Sequence, residues 1–331
     1  MSGRVEAFLD ATPGETRGVI LKDGRFERLF IHRYDDFPGD RLGARSVGRV
    51  TLADPVLRGA FIDLGGPGPA GFLPFKGQPP RVGEKIEVQV AAEPRESKGP
   101  ALRRLGPAQG EVRLLTPGPD IGALLAQHAP GVTPETGLDA ARAALDAEEA
   151  ALATVERLPD LGLDLSVERT RALIAVDIDH AGGRGRDQAN RMGLAHAARL
   201  IRLKSWGGLV VIDLAGLGHD GDVVARAAKE AFSDDGAAVG PLSRFGLLQL
   251  SLPWRHTPIE ERLAVRDARV IDAVRRLSIR LLEDRGVTRV RLYVSPDDLA
   301  RVAPLVERLG PRASAAADSA LPPGAHRIEE A

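Results

Sequence analysis

The sequence predicts an α/β protein of the α+β multidomain type, in which a small β-barrel precedes a mostly parallel sheet. Short strand patterns separated by Gly-rich turns fill much of the first third of the chain, which is typical of a small barrel. From Arg171 onward an apolar strand, a helix and a second apolar strand follow one another, which is typical of a parallel sheet with helical crossovers. At 331 residues the chain is long enough for two or three small domains.

The first elements are a hairpin and the barrel. The tetrapeptide Lys22-Asp-Gly-Arg25 is a turn signal between two strand patterns. The strand patterns of the hairpin and the barrel cover residues 16–21, 27–32, 46–52, 59–64 and 84–91. We therefore assign residues 1–35 to the N-terminal strands and residues 36–105 to the barrel.

Residues 106–165 are assigned to a connector and a helix. The stretch 106–132 is rich in Gly, Pro and Leu without a clear period, so at most brief structure is expected there. A helix is predicted from Thr133 to about Leu158, because Pro134 and Glu135 suit a first helical turn and Ala, Leu and Glu fill its body. Its Ala-rich face is expected to serve packing.

The parallel sheet is assigned to residues 166–256, and the rest of the chain to a C-terminal segment, 257–331. In the sheet, Asp187 is expected to cap a helix that ends near Ser205. The other elements expected here are a strand at 171–178, a strand at 209–213, a helix at 220–233 and a strand at 247–250. The C-terminal segment should contain a long amphipathic helix at 258–284, a strand at 287–294, a helix capped by Ser295, and an Ala- and Pro-rich tail expected to be mobile.

The composition excludes several kinds of protein. There is no cysteine, so disulfides and thiolate zinc sites are excluded, and a reducing, cytoplasmic location is expected. The apolar runs are strand-sized, so no membrane segment is expected. The net charge is −1, but only six of the 45 basic residues are Lys. Arg binds phosphate with a bidentate fork, although a GC-rich genome would produce the same bias.

Two aspartates end the two strands of the predicted sheet. Asp177 and Asp213 are separated by 36 residues, the size of one strand–helix–strand unit. If the strands are parallel neighbours, both carboxylates emerge at the same sheet edge and repel each other. A hard divalent cation such as Mg²⁺ would neutralise them, and it would also activate water against a phosphodiester. The alternative is that one aspartate caps a helix and the other pairs with an Arg.

The segments around these aspartates resemble the ribonuclease E/G family of bacterial endoribonucleases. The resembling blocks are Glu168-Arg-Thr-Arg-Ala-Leu-Ile-Ala-Val-Asp-Ile-Asp179, Ala198-Arg-Leu-Ile-Arg-Leu-Lys-Ser-Trp-Gly-Gly-Leu-Val-Val-Ile-Asp213 and Ser243-Arg-Phe-Gly-Leu-Leu-Gln-Leu-Ser251. The resemblance implies an RNase H-like N-terminal part and a DNase I-like catalytic part, in which Asp177 and Asp213 bind Mg²⁺, with Mn²⁺ as a substitute. Asp179 occupies the position of an Asn that orients the first aspartate, and is counted with the catalytic residues. Gly216 stands where many relatives have a further Asp.

The resemblance also implies single-stranded RNA as the partner. Segments 47–50, 59–65, 70–74 and 97–102 resemble the family's S1-type OB-fold barrel. Phe61 and Phe72 there occupy the positions of base-stacking aromatics, and Lys98 that of a phosphate contact, which fits the way such barrels bind single strands. The remaining RNA-contact candidates are Arg184 and Arg186 in a Gly-rich loop, Asn190 shortly before the second resembling block, and Arg244 in the third block.

Several family features have no counterpart in this sequence. The chain between the barrel and the Thr133 helix is too short for the usual sensor of RNA 5′ ends. The cysteine motif that links protomers through zinc is absent, so a homodimer would need another surface, such as the helix at 258–284. The C-terminal segment does not resemble the family's small domain.

Two main functions follow from this pattern. The first is a Mg²⁺-dependent endoribonuclease that cleaves single-stranded RNA with metal-activated water, in RNA processing or decay. The second is an RNA-binding regulatory relative with weak or no nuclease activity, which the changes at Asp179 and Gly216 keep open. A DNA nuclease or a phosphatase that uses the same metal pair is a weaker third alternative.

Overall fold

A three-stranded antiparallel sheet opens the chain. The computed structural model describes residues 3–181, 185–284, 286 and 288–331, except for the side chain of Arg266. The strands of this first sheet are β1 (Val5–Thr12), β2 (Glu15–Lys22) and β3 (Arg25–Arg33). Successive side chains point to opposite faces, so Val19 and Leu29 join one apolar cluster while Ile20 and Phe30 join another. Both faces of this sheet are therefore covered.

The next strands close into a ring. They are β4 (Arg45–Asp54), β5 (Gly59–Asp63), β6 (Gly71–Pro74), β7 (Lys85–Ala92) and β8 (Ala101–Pro107), with β9 (Arg113–Thr116) added beside β4. The pairing runs β4-β5-β6-β8-β7 and returns to β4. Val50, Ile62, Ile86 and Leu102 fill the interior. The short strand spacing in the sequence thus corresponds to a closed β structure.

Two helices cover the two faces of the first sheet. They are α1 (Ile121–His128) and α2 (Leu138–Leu152). Helix α1 lies in the stretch expected to be connector, where Asp120 caps it by accepting a hydrogen bond from the Ala123 N–H. Along α2, Ala140, Ala144 and Ala147 pack on the first sheet, as the Ala-rich face predicted. The α2 helix is shorter than the predicted 133–158, and its end is followed directly by a strand.

A six-stranded sheet carries the strand-end aspartates. Its elements are β10 (Val155–Leu158), β11 (Leu163–Arg169), β12 (Ile174–His180), α3 (Arg186–Leu203), β13 (Gly208–Asp213), α4 (Gly221–Ala231), β14 (Ala238–Val239) and β15 (Leu248–Leu252). The strand order is β10-β11-β12-β13-β15-β14. Helices α3 and α4 pack on one face through residues such as Leu194, Ile201 and Val224. The opposite face carries the exposed side chains of the central strands.

The prediction of a mostly parallel sheet is wrong. Among the pairings that the described residues form in this sheet, only β12 with β13 is parallel. A short turn joins β11 to β12, and such a turn can connect antiparallel strands only, whereas α3 carries the chain back between β12 and β13. The fold is therefore mixed α/β, with one helical crossover at the strands that matter for the aspartates.

The C-terminal part forms a small sheet of its own. Its elements are α5 (Ile259–Leu263), α6 (Arg266–Glu283), β16 (Val290–Val294), α7 (Pro296–Glu307), β17 (Ala313–Ala317) and β18 (His326–Glu330). Strands β17 and β18 pair with the two edges of β16, which corrects the expectation of a mobile tail. The single helix predicted at 258–284 is divided between α5 and α6. Within the described parts of the chain, no helix is long and apolar enough to cross a membrane.

Candidate metal centre and nucleic-acid interface

Asp177 and Asp213 stand directly opposite each other on neighbouring parallel strands. The register pairs Asp177 of β12 with Asp213 of β13. Because side chains alternate along a strand, buried Val176 and Ile178 face α3 while Asp177 is exposed on the uncovered face. The strands can end on acid because one face of the sheet is open to solvent. The sequence predicted only that the two carboxylates share an edge of the sheet, whereas the structure places them on this open face.

Asp179 lies on the same open face, two residues beyond Asp177. Its partner across β11 is Asp164, and both side chains carry carboxylates. The pKa of Asp177 is raised above its usual value, first by partial burial and then by the negative charges of Asp179, Asp213 and Asp164. Among the described residues, no Arg or Lys forms an ion pair with Asp177, Asp179 or Asp213. The open face therefore holds uncompensated negative charge.

This donor set suits a hard cation that keeps much of its water. Within the described ranges, no group of three or more His, Cys, Asp or Glu is arranged to enclose a metal ion. Mg²⁺ does not require such an enclosure, since one or two carboxylates with water and substrate phosphate are its usual protein environment. The paired Asp177 and Asp213 could therefore hold Mg²⁺, and Asp179 adds to the attraction.

Two side chains of α3 fasten the loop that follows Asp213. The Asn190 side chain accepts a hydrogen bond from the Ala215 N–H at 2.9 Å and donates one to the Ala215 carbonyl at 3.1 Å. Asn190 is 4% exposed, so its position explains a role in holding this loop and does not favour the expected RNA contact. Arg186 donates to the carbonyl oxygens of Leu217 and Gly218. The loop after the second aspartate is thus fixed from the helix.

Gly216 in this loop has a backbone that few other residues adopt. Its φ is +85°, and a Cβ placed there would lie 2.9 Å from Cδ of Arg186. Gly216, which departs from the family pattern, therefore leaves the space that the Arg186 side chain occupies. The other predicted Arg of the preceding loop, Arg184, lies outside the described residues.

Arg244 lies near the Asp213 end of the sheet and is exposed. Antiparallel pairing of Ile212 with Leu248 places the preceding turn beside the end of β13. The Arg244 guanidinium lies over the ring of Phe245, 5.0 Å from its centroid, and Phe245 is 77% exposed. Phe245 was not among the predicted contacts. The sequence pattern that could have indicated Phe245 is an aromatic residue between Arg and Gly in a turn, because a turn at the surface offers no core in which the ring could be buried.

The two barrel aromatics lie next to each other. Phe61 of β5 is paired in register with Phe72 of β6, and their rings meet edge to face with centroids 5.7 Å apart. Both are partly exposed, and a Cβ on Gly59 would lie 2.1 Å from the Phe72 ring, so only glycine leaves room for it. Lys98 is exposed and pairs with Glu96 at 2.9 Å. A surface pair of this kind is easily exchanged for a phosphate contact.

The comparison with known families concerns the segment that carries the aspartates. Residues 144–253, about a third of the chain, match the model of the Ribonuclease E/G family. No curated protein matches the chain. The matched segment contains both aspartates, the helix that fastens the Asp213 loop and the turn that carries Arg244, and it does not include the barrel. Through this segment the chain is similar to the Ribonuclease E/G family.

Proposed function

We propose that this protein is a Mg²⁺-dependent endoribonuclease that cleaves single-stranded RNA. The single observation that carries the proposal is the register of Asp177 with Asp213 on an open sheet face, without a compensating cation among the described residues, inside a segment of the Ribonuclease E/G family. The match to that family supports ribonuclease activity in general. The metal and the mechanism are inferred from the geometry of the two carboxylates.

In this proposal Asp177 and Asp213 would hold the Mg²⁺ ion. The bound ion would supply a water of lowered pKa and neutralise charge on the phosphodiester. Asp179 increases the negative potential at the pair. Asn190 keeps the loop after Asp213 in one position through its two bonds to Ala215. RNA would lie on the open face, where no helix of the described chain covers the carboxylates.

The closed strand ring would supply RNA affinity as an S1-type OB-fold barrel. Its strand order, with the third strand next to the fifth and the first next to both the second and the fourth, is that of an OB fold. OB folds bind nucleic acid mainly on their second and third strands, which here are β5 and β6 with Phe61 and Phe72. Bases would stack on these rings, and Lys98 would contact phosphate.

Two residues near Asp177 and Asp213 favour a second function. Asp179 adds a third acid, and Gly216 leaves out one that relatives carry. These two changes favour an RNA-binding regulatory protein with weak or no cleavage as the alternative. The barrel would then provide the RNA binding, and the acids of the open face would contribute only a negative potential.

Cleavage of RNA labelled at both ends separates the two functions. We expect Mg²⁺-dependent internal cleavage of a single-stranded oligonucleotide that EDTA stops. Asp177→Asn and Asp213→Asn should each lower the rate by roughly a hundredfold or more, because even the loss of a residue that only hydrogen-bonds to a metal ligand costs about ten- to a hundredfold. Asp146→Asn, an exposed aspartate of α2, serves as the matched control. Binding of RNA without any cleavage by the unaltered protein would select the regulatory alternative.

A further inference from the structure

A cavity lies at the end of the six-stranded sheet that is opposite to Asp213. It encloses about 280 Å³. Its wall is shared by β3 of the first sheet, by α1, by the C-terminal end of α3 and by the segment 252–256 after β15. Leu252 pairs with Gly208 at the start of β13, so the cavity and Asp213 are at opposite ends of that strand. At about 3.3 Å per residue, roughly 17 Å separates the two ends.

Two arginines in the wall of this cavity have no acidic partner. Arg28 and Arg255 both line it, and in the described chain neither side chain forms an ion pair or a hydrogen bond. The neighbouring Arg202 behaves differently, because it binds Glu27 at 2.6 Å and Asp235 at 2.7 Å. Asp235 is therefore already used. The cavity keeps two guanidinium groups free for a ligand.

The pKa shifts of two wall residues agree with positive charge around Arg28 and Arg255, although Asp235 and Glu27 act in the opposite direction on Arg28. The pKa of His128, which also lines the cavity, is lowered to about 4, first by burial and then by the charges of Arg28, His256 and Arg255. The pKa of Arg28 is itself lowered, first by burial and next by Arg202. The positive charges of Arg28 and Arg255 disfavour protonation of His128. A bound anion would stabilise these charges.

The other wall residues restrict what kind of anion fits. Leu42, Leu124 and Ile201 give the cavity an apolar part, and Asp234 stands free at the wall as a hydrogen-bond acceptor. Guanidinium forks match the oxygens of phosphate, apolar side chains suit a sugar or base, and a carboxylate accepts hydrogen bonds from ribose hydroxyls. A bare inorganic anion would leave the apolar part and Asp234 unused.

We propose that the cavity lined by Arg28 and Arg255 is a nucleotide-binding site separate from the acidic face, in which these two arginines hold the phosphate. The occupant could be a free mononucleotide or one nucleotide of a bound RNA. Both share the phosphate and ribose chemistry that the wall offers. The site joins the first sheet to the sheet that carries Asp177 and Asp213, and its occupation does not depend on cleavage.

Calorimetric titration of the full-length protein tests this site. The probes are inorganic phosphate, adenosine 5′-monophosphate and a single-stranded RNA, each with EDTA present and in an Asp213→Asn background, so that metal binding and cleavage play no part. We expect Arg28→Gln and Arg255→Gln to weaken the mononucleotide about tenfold each, which corresponds to about 1.4 kcal/mol. Arg226→Gln, an exposed arginine of α4 without an ion pair in the described chain, is the control.

The RNA arm identifies the source of the nucleotide. If RNA affinity falls in the same two variants, the cavity takes a nucleotide of the bound strand; if only the mononucleotide weakens, it takes a free one. Should Arg28→Gln fail to fold by circular dichroism, the exposed Arg255→Gln gives the decision alone. If each of the three probes binds both variants as tightly as it binds the unaltered protein, the proposal is overturned, whatever the outcome of the cleavage assay.

Discussion

The molecule contains two groups of carboxylates that differ in how they are balanced. Between the first sheet and α6, Arg275 is fully buried and donates to Asp10 at 2.7 Å and to Glu15 at 2.8 Å. Arg17 and Arg33 add further contacts to Glu15. On the open face of the six-stranded sheet, Asp177, Asp179 and Asp213 share no cation that the described residues provide.

The two groups also differ in the direction of their pKa shifts. Burial alone would raise the pKa of Glu15, but Arg17, Arg275 and Arg33 lower it below its usual value. The pKa of Asp177 is raised instead, by partial burial and by its acidic neighbours. Carboxylates that serve the fold are thus neutralised from within the chain. The acids of the open face have no cationic partner in the described part of the chain, which is the physical reason for proposing a cation there.

The largest effect is expected from breaking the buried group. Arg275→Ala should lower the free energy of unfolding by about 3–5 kcal/mol, because Asp10 would stay buried without its cation and Glu15 would keep only Arg17 and Arg33. Urea denaturation measures this. Arg276→Ala is the matched control on the same helix, since its exposed pair with Asp272 is worth about 0.3–0.5 kcal/mol. Equal losses in both variants would contradict the difference drawn between the two groups.

The same experiment has a pH dependence with a definite sign. The folded-state pKa of Glu15 lies below its usual value of 4.5, so its contribution to stability is complete above that pH. The contribution is lost as the pH falls from 4.5 through the lower folded-state value. Arg275→Ala should therefore lose part of the acid sensitivity that the unaltered protein shows.

Asp177→Asn should not lower the free energy of unfolding, since it removes repulsion between carboxylates.

A smaller effect is expected from the barrel, and it separates RNA affinity from the open-face acids. Phe72→Ala should weaken binding to single-stranded RNA by about 1–3 kcal/mol, the usual contribution of one stacked base. Asp213→Asn should leave the dissociation constant nearly unchanged when EDTA is present. Fluorescence anisotropy with a labelled oligonucleotide measures both. An unchanged affinity in Phe72→Ala would show that no base stacks on that ring.

The smallest effect concerns the charge of Asp179. In the metal-free protein, Asp179→Asn should lower the pKa of Asp177 toward its usual value, because the charge of Asp179 is the largest of the acidic contributions that raise it. The carboxyl chemical shift of Asp177, followed by NMR as the pH is lowered, reports the change. Asp164→Asn should act in the same direction and less strongly. No movement of the Asp177 titration in either variant would contradict a contribution of Asp179 and Asp164 to the raised pKa.

The sequence located the pair of aspartates because an apolar run followed by acid is a local signal. It could not give the direction of the neighbouring strands. Residues 163–169 alternate Leu, Asp, Leu, Ser and Val, so β11 was readable as a strand, but its antiparallel return into β12 depends on the turn that joins them. Strand direction is a property of connections rather than of residue type, which is why a mostly parallel sheet was predicted.

Tertiary contacts decide the other differences. The strand Ala313–Ala317 consists of residues with little β preference, and it forms because β16 pairs with it on one side. Asn190 was predicted as an RNA contact, whereas in the structure its side chain bonds to Ala215, 25 residues further along the chain. No local pattern contains such a partner. The free arginines of the cavity, Arg28 and Arg255, are likewise brought together only by folding.

The fit between Gly216 and Arg186 restricts how the acidic face can change by mutation. A carboxylate introduced by Gly216→Asp would need a left-handed backbone that side chains rarely adopt, and its Cβ would collide with the Arg186 side chain. Shortening Arg186 alone would release the Leu217 and Gly218 carbonyls that it holds. The two positions therefore constrain each other, and an acid at position 216 would require the Arg186 side chain to move or to be replaced as well.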